Sequence, residues 1–109
     1  MELYKKQEEE SGCLLAHFAL ELSDTHPEIR MLCAGHFGQW AKTFKRDLDG
    51  ARAKYSAKKP IDTQSLAEYF IAILEGSLII SKAKQDRRVL EKSLQHFKEY
   101  LKVLFEKKS

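Results

Sequence analysis

The stretch Val89–Phe105, VLEKSLQHFKEYLKVLF, decides the fold. Its apolar residues recur every three or four positions, the spacing of an α-helix and not of a strand. At about 100° per residue, Leu90, Leu94, Phe97, Leu101, Leu104 and Phe105 fall on one face. Val89, Ser93, His96, Tyr100 and Val103 form a second stripe beside it, and Glu91, Lys92, Gln95, Lys98, Glu99 and Lys102 fill the remainder. The two stripes span about 200°, whereas a helix on the edge of a single subunit needs only about 100° of apolar face. The surplus asks for a second partner.

The preceding helix, started by Asp62 or Thr63 and running to about Gln85, has the same excess. Leu66, Phe70, Ile73, Ser77 and Ile80 make one face; Ile71, Leu74 and Leu78 occupy another sector. A further stripe holds the small residues Ala72, Gly76 and Ala83, flanked by Tyr69 and Ile79, and small side chains let helix axes approach closely. Glu75 interrupts these apolar surroundings: it points to solvent, pairs across a dimer, or reaches a pocket. Two such helices predict a homodimer in which the last two helices of each copy form an intermolecular four-helix bundle. Its interface would use Ala72, Gly76, Ile79, Ala83, Val89, Ser93, His96, Tyr100 and Val103. The alternative is a monomer in which the penultimate helix is central and the last one covers it.

Moving toward the amino terminus, the helical spacing continues, and no stretch alternates apolar and polar residues as a strand does. The expected class is all-α, an antiparallel bundle of about four main helices. One helix runs from about Ser11 to Leu22, is apolar on most sides, and should be largely enclosed. The next begins at a capping box of Thr25 and Glu28 with Pro27 in its first turn, and continues to about Tyr55. Gly35, Gly38 and Gly50 weaken it locally and mark a bend or a close approach. Ser56 to Pro60 is read as a loop, and the last helix runs from Asp86 or Arg87 to about Glu106. The organisation expected is a polar segment over residues 1–10, one domain over 11–106, and a frayed tail over 107–109.

With 109 residues the chain has room for one domain with one core. Hydrophobic residues at 43% and charged residues at 32% fit an ordinary soluble protein. The longest nearly apolar stretch, Tyr69 to Ile80, is interrupted by Glu75 and is far below the roughly 20 residues a membrane span needs. Met1 leads into the charged run Glu2 to Glu10, so no signal peptide is expected. Cys13 and Cys33 make no disulfide framework, which points to a reducing cytoplasm. The net charge of +3 divides unevenly about Gly50, with −3 before it and +6 after it. The lysines of the second half alternate with glutamates at helical intervals, so solvated helix faces explain them better than nucleic acid does.

The run Gly12-Cys13-Leu14-Leu15 and then Leu20-Glu21-Leu22-Ser23-Asp24-Thr25-His26-Pro27-Glu28-Ile29-Arg30 resembles the effector-binding domain of tetracycline-repressor (TetR) family regulators. Leu66-Ala67-Glu68-Tyr69-Phe70, followed by Leu74-Glu75-Gly76-Ser77-Leu78-Ile79-Ile80-Ser81-Lys82-Ala83, is similar to that family's penultimate helix, and Leu90 to Leu104 to its last. The resemblance covers about Ser11 to Phe105. It implies an all-helical domain that dimerises through its last two helices and holds a pocket for a small molecule among the others. It also implies operator DNA as a partner, reached through an N-terminal helix-turn-helix unit. Nothing before Ser11 is expected to supply that unit, and residues 1–10 would be a remnant of the helices linking the two parts.

Within such a domain, Phe18, Phe37, Trp40, Phe44, Tyr69 and Phe70 would supply apolar walls, with Leu74 beside them. Cys13, His17, His36 and Tyr69 would add a few polar or soft points, the mixture that small-molecule sites use. The expected ligand is a small apolar or amphipathic effector, and the competing reading is that these aromatics are simply core. Cys13 and His17 at i,i+4, with Cys33 and His36 at i,i+3, could also meet as a Cys2His2 zinc site. The spacing matches no known zinc ribbon or finger, so no metal and no cofactor is expected. Catalysis finds little support: Cys13–His17 lacks an orienting third group, and all five glycines are isolated, which leaves no phosphate loop. The alternative to an effector domain is a stand-alone helical dimerisation module that acts on a protein partner without a ligand.

Overall fold

The computed structural model describes residues 13–57 and 60–107. The expected polar segment over residues 1–10 therefore lies outside the described residues, as do Lys108 and Ser109. Four helices carry the fold, α1 (Cys13–Leu22), α2 (Pro27–Lys54), α3 (Thr63–Lys84) and α4 (Arg88–Leu104). Two three-residue strands, β1 (Tyr55–Ala57) and β2 (Phe105–Lys107), follow α2 and α4. The class is all-α. None of the helices among the described residues is long and apolar enough to cross a membrane.

The helix starts follow from local chemistry. α2 begins at Pro27, whose missing N–H would have been unsatisfied there in any case. The expected capping box is not made: His26 is the N-cap and no side chain caps it. Thr25 Oγ1 lies 2.7 Å from His26 Nδ1, which takes the hydroxyl away from the helix end. α3 starts as its sequence suggests, with Asp62 Oδ1 accepting from the Ser65 N–H at 3.1 Å. Beside it, Thr63 donates its hydroxyl to Asp49 Oδ1 at 2.7 Å, tying the start of α3 to the side of α2. Lys45, 2.7 Å from Asp49 Oδ2, and then Thr63 hold that carboxyl below the usual carboxylate range.

The α3–α4 turn is tight. Gln85 closes α3 in the left-handed region at φ 53°. Asp86 then receives the backbone N–H and the guanidinium of Arg88, each at 3.0 Å. These contacts, the side-chain hydrogen bonds first, lower the Asp86 pKa to about 2 from an ordinary 3.8. The folded state thus favours the ionised form. The associated stabilisation is present above about pH 4 and is lost as the pH falls toward about 2. A carboxyl-carbon NMR titration should place the Asp86 midpoint near 2, and Arg88→Ala should move it upward. An unchanged midpoint in that variant would remove Arg88 as the cause.

One hydrogen bond joins α3 to α4 in the interior. Leu90 lies in the first turn of α4, where backbone N–H groups have no partner in their own helix. Its N–H donates instead to Ser81 Oγ at 2.9 Å, and both residues are buried. Ser81→Ala should therefore leave a buried donor unsatisfied and lower the unfolding free energy by about 1–3 kcal/mol. Urea denaturation measures it, and a loss below a few tenths of a kcal/mol would show that water replaces the hydroxyl.

α3 packs between α2 and α4, and α1 lies mainly against α2. The core is built from Ala41, Phe44 and Leu48 of α2, Leu66, Ala67, Phe70, Ile71, Leu74 and Leu78 of α3, and Leu90, Leu94 and Phe97 of α4. α1 is less enclosed than its composition suggests: Ala16 is buried, but Phe18 is 40% and Leu20 77% exposed. A short helix resting mainly on one neighbour can cover one side only. Gly35, Gly38 and Gly50 do not mark a close approach among the described residues, since an added Cβ at each meets nothing within 4 Å.

The carboxyl-terminal end also differs from the sequence reading. α2 stops at Lys54 and α4 at Leu104, and at both helix ends the backbone turns extended at an aromatic residue, Tyr55 and Phe105. The strands pair antiparallel, Tyr55 with Lys107, Ser56 with Glu106 and Ala57 with Phe105. Lys107 is thus paired, where the sequence reading places it in a frayed tail. Three residues are too short a window for an alternating pattern to register.

Candidate functional site

A line of aromatic rings leads from the interior to one face of the bundle. Phe44 of α2 stacks on Phe70 of α3 at 4.1 Å, and Phe70 meets Phe97 of α4 at 5.1 Å. Phe97 in turn lies 6.1 Å from Tyr69 and 6.3 Å from Tyr100. The two tyrosines meet edge to face at 6.1 Å across α3 and α4. The first three rings are buried, whereas Tyr69 is 52% and Tyr100 43% exposed. This is a seam that starts as core and ends in solvent.

Hollows flank the tyrosine pair. A groove of about 690 Å³ runs between the start of α3 and the end of α4. Pro60 and Ile61, with Asp62, Ser65, Leu66 and Tyr69 at and after the start of α3, line it together with Tyr100, Val103 and Leu104 of α4. A smaller hollow of about 220 Å³ lies among Tyr69, Ile73, Ser93, His96, Phe97 and Tyr100. On the opposite side of α4, Leu48, Ala51, Tyr55, Leu101, Lys102 and Phe105 surround about 340 Å³ beside the strand pair.

The stripes read from α3 and α4 emerge on this tyrosine face. Tyr69, Ala72, Gly76, Ile79 and Ala83 are spaced three and four apart, as are Val89, Ser93, His96, Tyr100 and Val103. Ile79, Ile80 and Val103 are exposed at 43%, 48% and 61%, and Ala72, Ala83 and His96 are exposed as well. Gly76, Val89 and Ser93 are half-buried. α3 is central and α4 does cover it, so part of the apolar excess is satisfied within one chain. The rest is not.

The expected effector residues divide into three groups. Phe44, Phe70 and Leu74 are close-packed core, at 6%, 0% and 1% exposure. Phe37 and Trp40 pack edge to face at 5.6 Å against the side of that core. Phe37 also lines a hollow of about 290 Å³ with Ala34, Gly38, Ala41, Gln64, Glu68 and Ile71. His17, Phe18, His36 and Tyr69 are exposed, and Cys13 is the first residue of α1, its side chain outside those described. The structure therefore does not bring all ten together around one cavity. Cys33 is buried while His36, one turn on, is exposed. Among the described residues no three His, Cys, Asp or Glu side chains gather as metal ligands would. Glu75 is buried at 9% exposure, which removes the solvent option for it.

Sequence reasoning missed the groove beside Asp62. Its walls come from a loop, a helix start and a helix end, which helical wheels treat separately. The available signal was the apolar Pro60-Ile61 immediately before the Asp62 cap.

Comparison with known proteins adds the following. A family model described as the tetracyclin repressor-like, C-terminal domain matches residues 1–97. The HTH-type transcriptional repressor DhaR of Mycobacterium sp. (strain GP1) is 27% identical over 95 residues, which cover 87% of this chain and 44% of that protein. The chain thus spans less than half the length of that curated relative. No solved structure matches this chain.

Proposed function

Since this chain belongs to the tetracycline repressor-like C-terminal domains, we propose that it is the effector-binding and dimerising part of a transcriptional regulator. Contact with operator DNA would belong to a helix-turn-helix unit outside these residues, and the setting would be cytoplasmic. The observation that carries the reading is the apolar face that α3 and α4 leave exposed, with Tyr69, Ile79, Ile80, Tyr100 and Val103 between 43% and 61% accessible. Two copies joined through it, α3 and α4 against α3 and α4, would bury those side chains in a four-helix bundle. A small apolar or amphipathic effector bound to one copy would favour one arrangement of the pair over another, which is how binding is coupled to DNA.

Sedimentation at low micromolar concentration tests the first half of the reading: a dimer is expected, and a single-chain species would overturn it. Thermal shift against a broad library of hydrophobic compounds tests the second half, because a ligand that binds only the folded state raises the melting temperature. A second reading, a helical interaction module without a ligand, is favoured by the close packing of Phe44, Phe70 and Leu74, which fills the interior where a pocket was expected. A dimer that no compound in the library stabilises would support that second reading over the first.

A further inference from the structure

His96 stands in the middle of the α4 stripe, with Val89 and Ser93 before it and Tyr100 and Val103 after it. It is exposed in the single chain and lines the hollow of about 220 Å³ with Tyr69, Ile73, Ser93, Phe97 and Tyr100. Those neighbours offer two phenols, a hydroxyl and hydrocarbon, but no carboxylate. The carboxylates of α3 lie elsewhere: Glu68 lines the hollow against α2, and Glu75 is buried within the chain. On α4, Lys92 and Glu99 flank His96 about one turn away on either side. Glu99 Oε1 is engaged there by Gln95 at 2.9 Å and Lys102 at 3.3 Å. The two stripes that a second copy would present contain no acidic side chain, and of their residues only His96 ionises near neutral pH.

We propose that His96 makes the pairing of two copies sensitive to pH, the neutral imidazole fitting the contact and the imidazolium opposing it. The inference rests on the dimer reading above and adds its regulation. A cation enclosed by hydrocarbon and neutral phenols, with no anion beside it, loses its water without compensation. Two-fold symmetry doubles the effect, because each dimer encloses both copies of His96. A residue midway along such a stripe also lies close to its own copy, so two positive charges would face each other. The separate subunit therefore takes up the proton and the dimer excludes it. Association has its full strength above the ordinary histidine range and weakens as the pH falls through it. Excluding one proton from a group with a midpoint near 6.5 weakens association about tenfold between about pH 7.5 and pH 5.5, and excluding two about a hundredfold.

Sedimentation of the full chain at about pH 7.5 and about pH 5.5 tests the proposal, with far-UV circular dichroism establishing that the subunits stay helical at both. The dissociation constant should rise by about tenfold to a hundredfold at the lower pH. His96→Gln keeps a neutral polar side chain at both values and should dimerise with less than about a twofold change. His36→Gln, at an exposed position of α2, should retain the whole response. Equally tight dimers of the natural chain at both values would overturn the proposal and leave the dimer reading standing. So would tighter association at the lower pH, which would mean that a carboxylate such as Glu99 meets the imidazolium across the contact. An undiminished response in His96→Gln would likewise overturn it, by assigning the effect to another group. Single chains at both values, in the natural chain and in His96→Gln alike, would remove the dimer reading and the proposal together.

Discussion

Phe97→Ala should be the most damaging single truncation in this chain, lowering the unfolding free energy by about 3–5 kcal/mol. Phe97 is 1% exposed and holds α4 to both of its neighbours: its ring meets Phe44 of α2 at 6.1 Å and Phe70 of α3 at 5.1 Å. Alanine would forfeit the transfer free energy of the ring and leave a void among side chains that are themselves rings, with little freedom to collapse into it. A domain of this size has a total stability of roughly 5–15 kcal/mol, so the loss would be a large fraction of it. Chemical denaturation followed by far-UV circular dichroism measures the effect. A loss below about 1 kcal/mol would mean that α4 is not anchored through this ring.

The second large effect concerns assembly. Ala72 is exposed in the single chain and sits in the middle of the small-residue stripe of α3. A glutamate there costs the isolated subunit little, because the position faces water and glutamate is a good helix former. In a two-fold dimer joined through this stripe it would place two carboxylates at a desolvated centre. Like charges brought together in an interface cost several kcal/mol, so dissociation should rise by roughly a hundredfold or more. Sedimentation should find Ala72→Glu as single chains with undiminished helicity, and Lys98→Glu, on the opposite side of α4, as dimers. A dimeric Ala72→Glu would place the contact on some other surface.

How far the sequence anticipated these features depends on how local their causes are. The four helices were legible because apolar spacing records which side of a helix meets the core, and Phe70, Leu90, Leu94 and Phe97 all face inward as their spacing requires. Asp62 was legible as a cap because one side chain and one N–H three residues on decide it. Thr25 was misread for the same locality: the motif permits a cap, but the neighbouring His26 ring competes for the hydroxyl. The strand pair was not legible, since each half is three residues long and finds its partner about fifty positions away. Nor was the grouping of candidate site residues. Helical periodicity shows that Phe44 and His36 belong to one helix without showing that one ends in the core and the other in water.

The pairing of Tyr55–Ala57 with Phe105–Lys107 closes the chain between the end of α2 and the end of α4 into a ring. Neither terminus can unravel without releasing the other, so end-fraying, normally an independent event at each helix, becomes a joint one here. It also fixes the two helices against sliding past each other at that end.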